Sequence, residues 1–145
     1  MKRNGQDPET IDGWMLIALR DLEPAEHLPL QDKERIFELS ANSVEKCLKA
    51  FLFKHGEQNL VSFWHDLDSL LSKCIEKERD FEYIREKIIF LSSVPYETSN
   101  HELTCYTHAQ SAYNDRLLIT EEDAKCARQY ARYIYEFVKE KLDLE

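Results

Sequence analysis

Glycine and proline are scarce in this chain, with three Gly and four Pro among 145 residues. Turn formers are therefore few, whereas Glu, Lys, Leu and Ala, which favour helices, are plentiful. A chain of this length fits one domain and buries enough surface to fold without a disulfide or a structural metal. We expect one helical domain over residues 1–145, with a flexible N-terminus at 1–9 and an irregular connector at 93–119.

Cysteines at metal-ligand spacing are absent, and no Cys-x-x-Cys motif occurs. The four cysteines, Cys47, Cys74, Cys105 and Cys126, are far apart in the sequence. All but Cys105 fall on helical patterns and are expected to behave as small apolar residues. In a reducing compartment they would stay thiols.

Long apolar runs are also missing. No stretch approaches the 18 or so apolar residues that a membrane-spanning helix needs, and the N-terminus lacks the apolar core of a signal peptide. The sequence therefore predicts no membrane association and a cytoplasmic location.

Basic residues are in deficit throughout the chain. The net charge is −9, and residues 1–60, 61–100 and 101–145 each carry three more acids than bases. Tight, non-specific binding to duplex nucleic acid requires Lys and Arg to neutralise phosphates. Duplex DNA is therefore not an expected partner.

Apolar residues recur at helical spacing in five stretches. The pattern predicts helices over about residues 11–22, 31–54, 65–77, 80–92 and 120–142, with a further short helix conceivable at 103–112. Pro24 is expected to end or kink the first helix. Asp7 or Thr10 is expected to cap its start, and Gly56 to follow the end of the second. Short connectors between these helices predict an all-α, antiparallel bundle of four to five helices.

Three segments carry the likeness to a known family. They are Ser43-Val-Glu-Lys-Cys-Leu-Lys-Ala50, His65-Asp-Leu67 with the later Leu70-Leu71, and Tyr113-Asn-Asp115 followed by Thr120-Glu-Glu-Asp-Ala124. In this order and spacing they resemble the HEPN domain over about residues 12–142. The resemblance implies a helical bundle that is usually a homodimer and needs no cofactor. It also implies nucleotide or RNA binding, often beside a minimal nucleotidyltransferase partner in a toxin–antitoxin pair.

Catalytic HEPN domains are metal-independent ribonucleases with an Arg, four to six residues and a His late in the bundle. Only Arg20 and His27 have that spacing here, and they lie in the first helical stretch. Between Tyr106 and Arg132 no His follows an Arg at the required distance, and Ala112 stands where the family has an Arg before its Tyr-Pro-Asp. The resemblance is therefore closer to the non-catalytic, nucleotide-binding branch.

Two motif segments supply candidate ligand-binding residues. Lys46 and Lys49 would contact phosphate, or else lie with Glu45 on a solvated helix face. His65 and Asp66 would orient a phosphate or a partner, or else cap a helix, and the cap is favoured.

The segment that resembles the Arg-Tyr-Pro-Asp motif adds Tyr113 and Asp115 to the candidates. The last helix adds a face that combines basic residues with a tyrosine: Lys125, Arg128, Arg132, Lys139 and Tyr135. Arginine beside an aromatic ring suits a nucleotide. The alternative is a solvated stripe paired with Glu121, Glu136 and Glu140.

His101, Cys105 and His108 recur at spacings of four and seven and would share one face of a helix. Such a face could hold zinc, but the segment is irregular and has no evident fourth ligand. No metal site is therefore predicted.

The bulky aromatic residues Trp14, Phe51, Phe53, Phe63 and Trp64 are expected in the core or at a dimer surface. Phe53 and the Phe63-Trp64 pair lie near a helix end and a loop, so one of them is expected to be exposed.

Three functions remain open from the sequence. The first is a non-catalytic module that binds a nucleotide, an RNA or a nucleotidyltransferase. The second is a degenerate ribonuclease that uses Arg116 or Arg128 with His108 and Tyr113. The third is a purely structural partner protein.

Overall fold

Five α-helices and one 3-10 helix make up the regular structure of the computed structural model, which describes residues 10–57, 66–93 and 119–143. The helices are α1 (Ile11–His27), α2 (Lys33–Lys54), α3 (Leu67–Lys77), the 3-10 helix (Arg79–Ile84), α4 (Arg85–Ser93) and α5 (Glu121–Lys141). These ranges contain no strand. The predicted all-α helical bundle is confirmed.

The central element is α2, which packs most extensively against α1 and then against α5. Thirteen of its 22 residues are buried, so it has core contacts on more than one face. The hydroxyl of Ser43 on α2 donates a 2.8 Å hydrogen bond to the carbonyl oxygen of Ala18 on α1. Ala124, Ala127 and Ala131 on α5 are buried, and their small side chains let α5 approach its neighbours closely.

Short-range sequence signals set several helix ends. Thr120 and Asp123 form a reciprocal capping box at the start of α5. Thr10, one of the two predicted caps, accepts a hydrogen bond from the backbone N–H of Gly13 at the start of α1. The other candidate, Asp7, lies outside the described residues. Gly56 has a φ of +86° and follows α2, as expected of a helix stop.

The end of α2 is a Schellman motif built around that glycine. The N–H of Glu57 donates to the carbonyl of Leu52, and the N–H of Gly56 donates to that of Phe53. Only a residue that tolerates positive φ fits between these two bonds.

Pro24 does not end α1, which corrects one of the two expectations from sequence; a kink stays a prediction. The helix continues through Pro24 to His27, and the N–H of Leu28 donates to the carbonyl of Pro24. Because proline has no N–H, the carbonyl of Arg20 loses its usual helical hydrogen bond from residue 24. Contacts from α5, described below, hold the turn that follows Pro24.

The fourth helical stretch begins as a 3-10 helix instead of an α-helix. Phe81 donates its N–H to Glu78, three residues earlier. A 3-10 helix repeats every three residues, so Phe81 and Ile84 lie on the same side, and both are fully buried. The α-helical spacing resumes with Ile88 and Leu91, which are also buried.

Candidate functional site

Many of the residues predicted to form a site lie outside the described ranges. They are His65, His101, Cys105, His108, Tyr113, Asp115 and Arg116, and the aromatic residues Phe63 and Trp64 lie there too. The ligand-binding, catalytic and zinc hypotheses that depend on them stay predictions.

Lys49 does not lie on a solvated face, contrary to one of the two sequence readings. Its side chain is only 3% exposed, and its ammonium lies 2.9 Å from a carboxylate oxygen of Glu45. The same ammonium lies 5.6 Å from the ring centroid of Trp14, which is buried. Lys49 therefore joins α1 to α2 within the core, and a phosphate would have to displace these contacts to reach it.

Lys46, one helical turn earlier, is half-buried and faces a different environment. Burial raises the pKa of Asp21 on α1, and the charge of Lys46 opposes that shift. Lys46 is thus the more accessible of the two predicted phosphate contacts.

Asp66 has the structure of the predicted helix cap. Its carboxylate accepts hydrogen bonds from the backbone N–H of Ser69 at 3.1 Å and from the Ser69 hydroxyl at 2.7 Å. These bonds satisfy the first turn of α3 and occupy one carboxylate oxygen.

The basic face of α5 is tied to the end of α1. The guanidinium of Arg128 donates to the carbonyl oxygens of Ala25, Glu26 and Leu28 at 3.4, 3.5 and 3.2 Å. Cationic donors at a helix C-terminus satisfy its free carbonyls and interact favourably with the negative end of the helix dipole. Arg128 therefore supports the last turn of α1, which follows Pro24.

Arg132 makes a two-pronged contact with the same turn. Its Nε and one terminal nitrogen each donate to a carboxylate oxygen of Glu26 at 2.8 Å, and its other terminal nitrogen donates to Glu136 at 3.0 Å. The hydrogen bond from Arg132 holds the pKa of Glu26 below its usual range. Glu136 was an expected partner, whereas Glu26 was not.

Tyr135 lies beside Arg132, whose guanidinium carbon is 5.4 Å from the ring centroid. The predicted arginine–aromatic neighbourhood is present, but the tyrosine is 8% exposed. Little of its ring can face a base.

Arg20 and His27, the pair with ribonuclease-like spacing, are both exposed on α1. Nδ1 of His27 donates to the carbonyl of Glu23 at 2.8 Å, within the last turn of the helix. The pair therefore belongs to a single helix, and its histidine supports the helix end.

One cluster that sequence reasoning missed lies between α4 and α5. The ammonium of Lys87 lies 5.1 Å from the ring centroid of Tyr130 and 4.6 Å from that of Tyr133. Tyr133 is 48% exposed. The i, i+3, i+7 spacing of Tyr130, Tyr133 and Phe137 was the signal that could have revealed it, because such residues share one side of a helix.

Metal ligands do not converge in residues 10–57, 66–93 and 119–143, where no group of three His, Cys, Asp or Glu side chains could hold an ion. Within these same ranges, no helix has both the length and the apolar character needed to cross a membrane.

The aromatic expectations are partly settled. Trp14 and Phe51 are core residues, and Phe53 is partly buried against the core. Burial also raises the pKa of the Cys47 and Cys74 thiols, in agreement with their reading as small apolar residues.

Comparison with protein families gives a match to the HEPN domain over residues 11–141. These limits coincide with the first residue of α1 and the last residue of α5. The chain belongs to the HEPN domain family. No curated protein and no solved structure matches it significantly.

Proposed function

We propose that this chain is a non-catalytic HEPN module that binds RNA or a nucleotide and acts as a homodimer beside a nucleotidyltransferase partner. Membership of the HEPN family supports the coarse assignment to a nucleotide- or RNA-related module. The partner, the dimer and a toxin–antitoxin setting follow from the resemblance and belong to the proposal.

The observation that carries the non-catalytic assignment is the state of the α5 arginines. A ribonuclease needs an arginine free to stabilise charge on the phosphate during cleavage. Arg128 is engaged by three carbonyl oxygens, and Arg132 by two carboxylates. Neither has a histidine at the family's spacing.

The proposed phosphate contact is Lys46, because it is half-buried where Lys49 is almost fully buried. Tyr113 and Asp115 stay candidates from the family motif. Contacts within the fold already engage Lys49, Arg128 and Arg132. These residues would contribute to binding only by exchanging their present partners.

Incubation of the purified protein with total RNA in EDTA tests the absence of catalysis. We expect no cleavage. Metal-independent cleavage that is lost in His108→Ala or Arg116→Ala would establish the ribonuclease alternative instead.

Binding is tested separately by thermal shift with ATP, GTP and short RNA oligonucleotides at millimolar and micromolar concentrations. At least one should raise the melting temperature, since a ligand that binds only the folded state stabilises it. If none does so, the purely structural function is favoured. Light scattering at tens of micromolar should give a dimer, and a monomer would contradict that part of the proposal.

A further inference from the structure

The surface between α4 and α5 combines a cation with two tyrosine rings. We call Lys87, Tyr130 and Tyr133 the lysine–tyrosine cluster. Both ring centroids lie within the roughly 6 Å at which an ammonium is attracted by an aromatic ring.

Two series of ring contacts connect the cluster to the hydrophobic core. They are Phe37–Phe90–Tyr130 and Phe51–Phe81–Phe137–Tyr133. Tyr130 meets Phe90 edge-on at 5.3 Å, and Tyr133 stacks on Phe137 at 6.5 Å with 20° between the ring planes. Because both series begin in the core, the tyrosines are held in place before any ligand arrives, which lowers the entropy lost on binding.

Acids of the described residues do not compensate the charge of the cluster. In residues 10–57, 66–93 and 119–143, no carboxylate lies at ion-pair distance from the Lys87 ammonium. Lys141, at the end of the same surface, differs because it pairs with Glu78 and Asp80. Within the part of the chain that the structure describes, the charge of Lys87 is therefore open to a ligand.

We propose that the lysine–tyrosine cluster binds single-stranded RNA, with Tyr133 stacking on a base and Lys87 contacting a phosphate. An exposed, flat ring suits any unpaired base, and stacking supplies affinity that needs few cations. A site that depends more on stacking than on cations fits a chain of net charge −9. Binding of a duplex through many phosphate contacts is disfavoured for such a chain. The inference rests on the proposed RNA-binding function and gives it a location.

Fluorescence anisotropy with a labelled RNA of about 12 nucleotides, single-stranded or annealed to its complement, provides the test. The variants are Tyr133→Leu, which removes the ring but keeps apolar bulk, Tyr133→Phe, which keeps the ring, and Lys87→Met. Lys54→Met is the charge control, since Lys54 is exposed at the far end of α2. Melting temperatures establish that each variant is folded.

We expect the single strand to bind more tightly than the duplex. Tyr133→Leu should weaken binding by about 5- to 150-fold, the range that loss of one stacked base corresponds to. Tyr133→Phe should stay within about twofold. Lys87→Met should also reduce the slope of log K against log salt concentration by about 0.7, as expected for one phosphate contact on a single strand. Lys54→Met should change neither quantity.

Three results separate the alternatives. If the wild-type protein binds no RNA, the proposed function fails together with this inference. If it binds and Tyr133→Leu binds equally well, only the location is wrong. If Tyr133→Leu and Lys87→Met convert a dimer to a monomer, the cluster is a contact between two copies of the chain and the RNA site is overturned.

Discussion

Two serines one turn apart on α2 allow the value of a single interhelical hydrogen bond to be measured. Ser40 and Ser43 are both fully buried. The hydroxyl of Ser43 donates to Ala18, whereas the hydroxyl of Ser40 has no hydrogen-bond partner among the described residues. Replacing each with alanine changes the helix propensity equally, so that contribution cancels in the difference.

The expected difference between these two variants is about 2 kcal/mol. Ser43→Ala loses a hydrogen bond worth about 1 kcal/mol in net stability. Ser40→Ala removes a buried, unpaired hydroxyl, which relieves a desolvation cost of about 1 kcal/mol or more. Ser40→Ala should therefore be the more stable variant, with a melting temperature roughly 6 °C higher at about 3 °C per kcal/mol for a chain of this size.

Urea unfolding followed by far-ultraviolet circular dichroism measures both variants under identical conditions. Ser72→Ala is the control, because Ser72 is exposed on α3 and reports the helix propensity alone. The m-value should not change. If Ser40→Ala and Ser43→Ala alter the free energy of unfolding by the same amount and sign, the contrast between their hydroxyls is refuted.

Three further substitutions test two regions, the last turn of α1 and the C-terminal end of α2. Glu26→Gln should lower the free energy of unfolding by about 1 kcal/mol at neutral pH, more than the exposed-pair variant Glu136→Gln. Arg132 lowers the pKa of Glu26 in the folded state, so this contribution is present above the pKa of the unfolded state and is lost as pH falls through the pKa of the folded state. In chemical unfolding between about pH 7 and 3, the free energies of unfolding of the wild type and Glu26→Gln should therefore converge as the pH falls. Pro24→Ala should raise the melting temperature by restoring a helical N–H, a gain of about 1 to 2 kcal/mol, and a fall would show that proline is matched to this turn. Gly56→Ala should cost about 1 kcal/mol through its positive φ alone, since an added Cβ meets nothing within 4 Å, and an unchanged midpoint in urea would exclude that strain.

Features encoded within a few residues were predictable from the sequence. The Thr120–Asp123 capping box and the Asp66 cap depend on residues three apart, so their patterns are complete in one segment. The alanine stripe of α5 was equally clear because helical periodicity repeats it over several turns. The HEPN resemblance combined such segments in order, and the family match confirms it.

Features that depend on distant segments were not predictable. The last turn of α1 contacts Arg128 and Arg132, whose partners Leu28 and Glu26 lie 100 and 106 residues away in the sequence. The burial of Lys49 depends on Trp14 covering that side of α2, which periodicity along α2 cannot reveal. Similarly, the lysine–tyrosine cluster forms only because α4 lies beside the tyrosines of α5.

The last turn of α1 has a consequence for the order in which the chain becomes structured. Its carbonyls are satisfied by Arg128 and its Glu26 by Arg132, so its stability depends on the docking of α5. Backbone amides in this turn should therefore exchange with solvent at the rate set by α5 detachment, not by the opening of the α1–α2 hairpin. A nascent chain lacking residues 119–143 would form most of α1 but leave the turn after Pro24 frayed. The last turn of α1 and helix α5 thus become ordered as one cooperative unit.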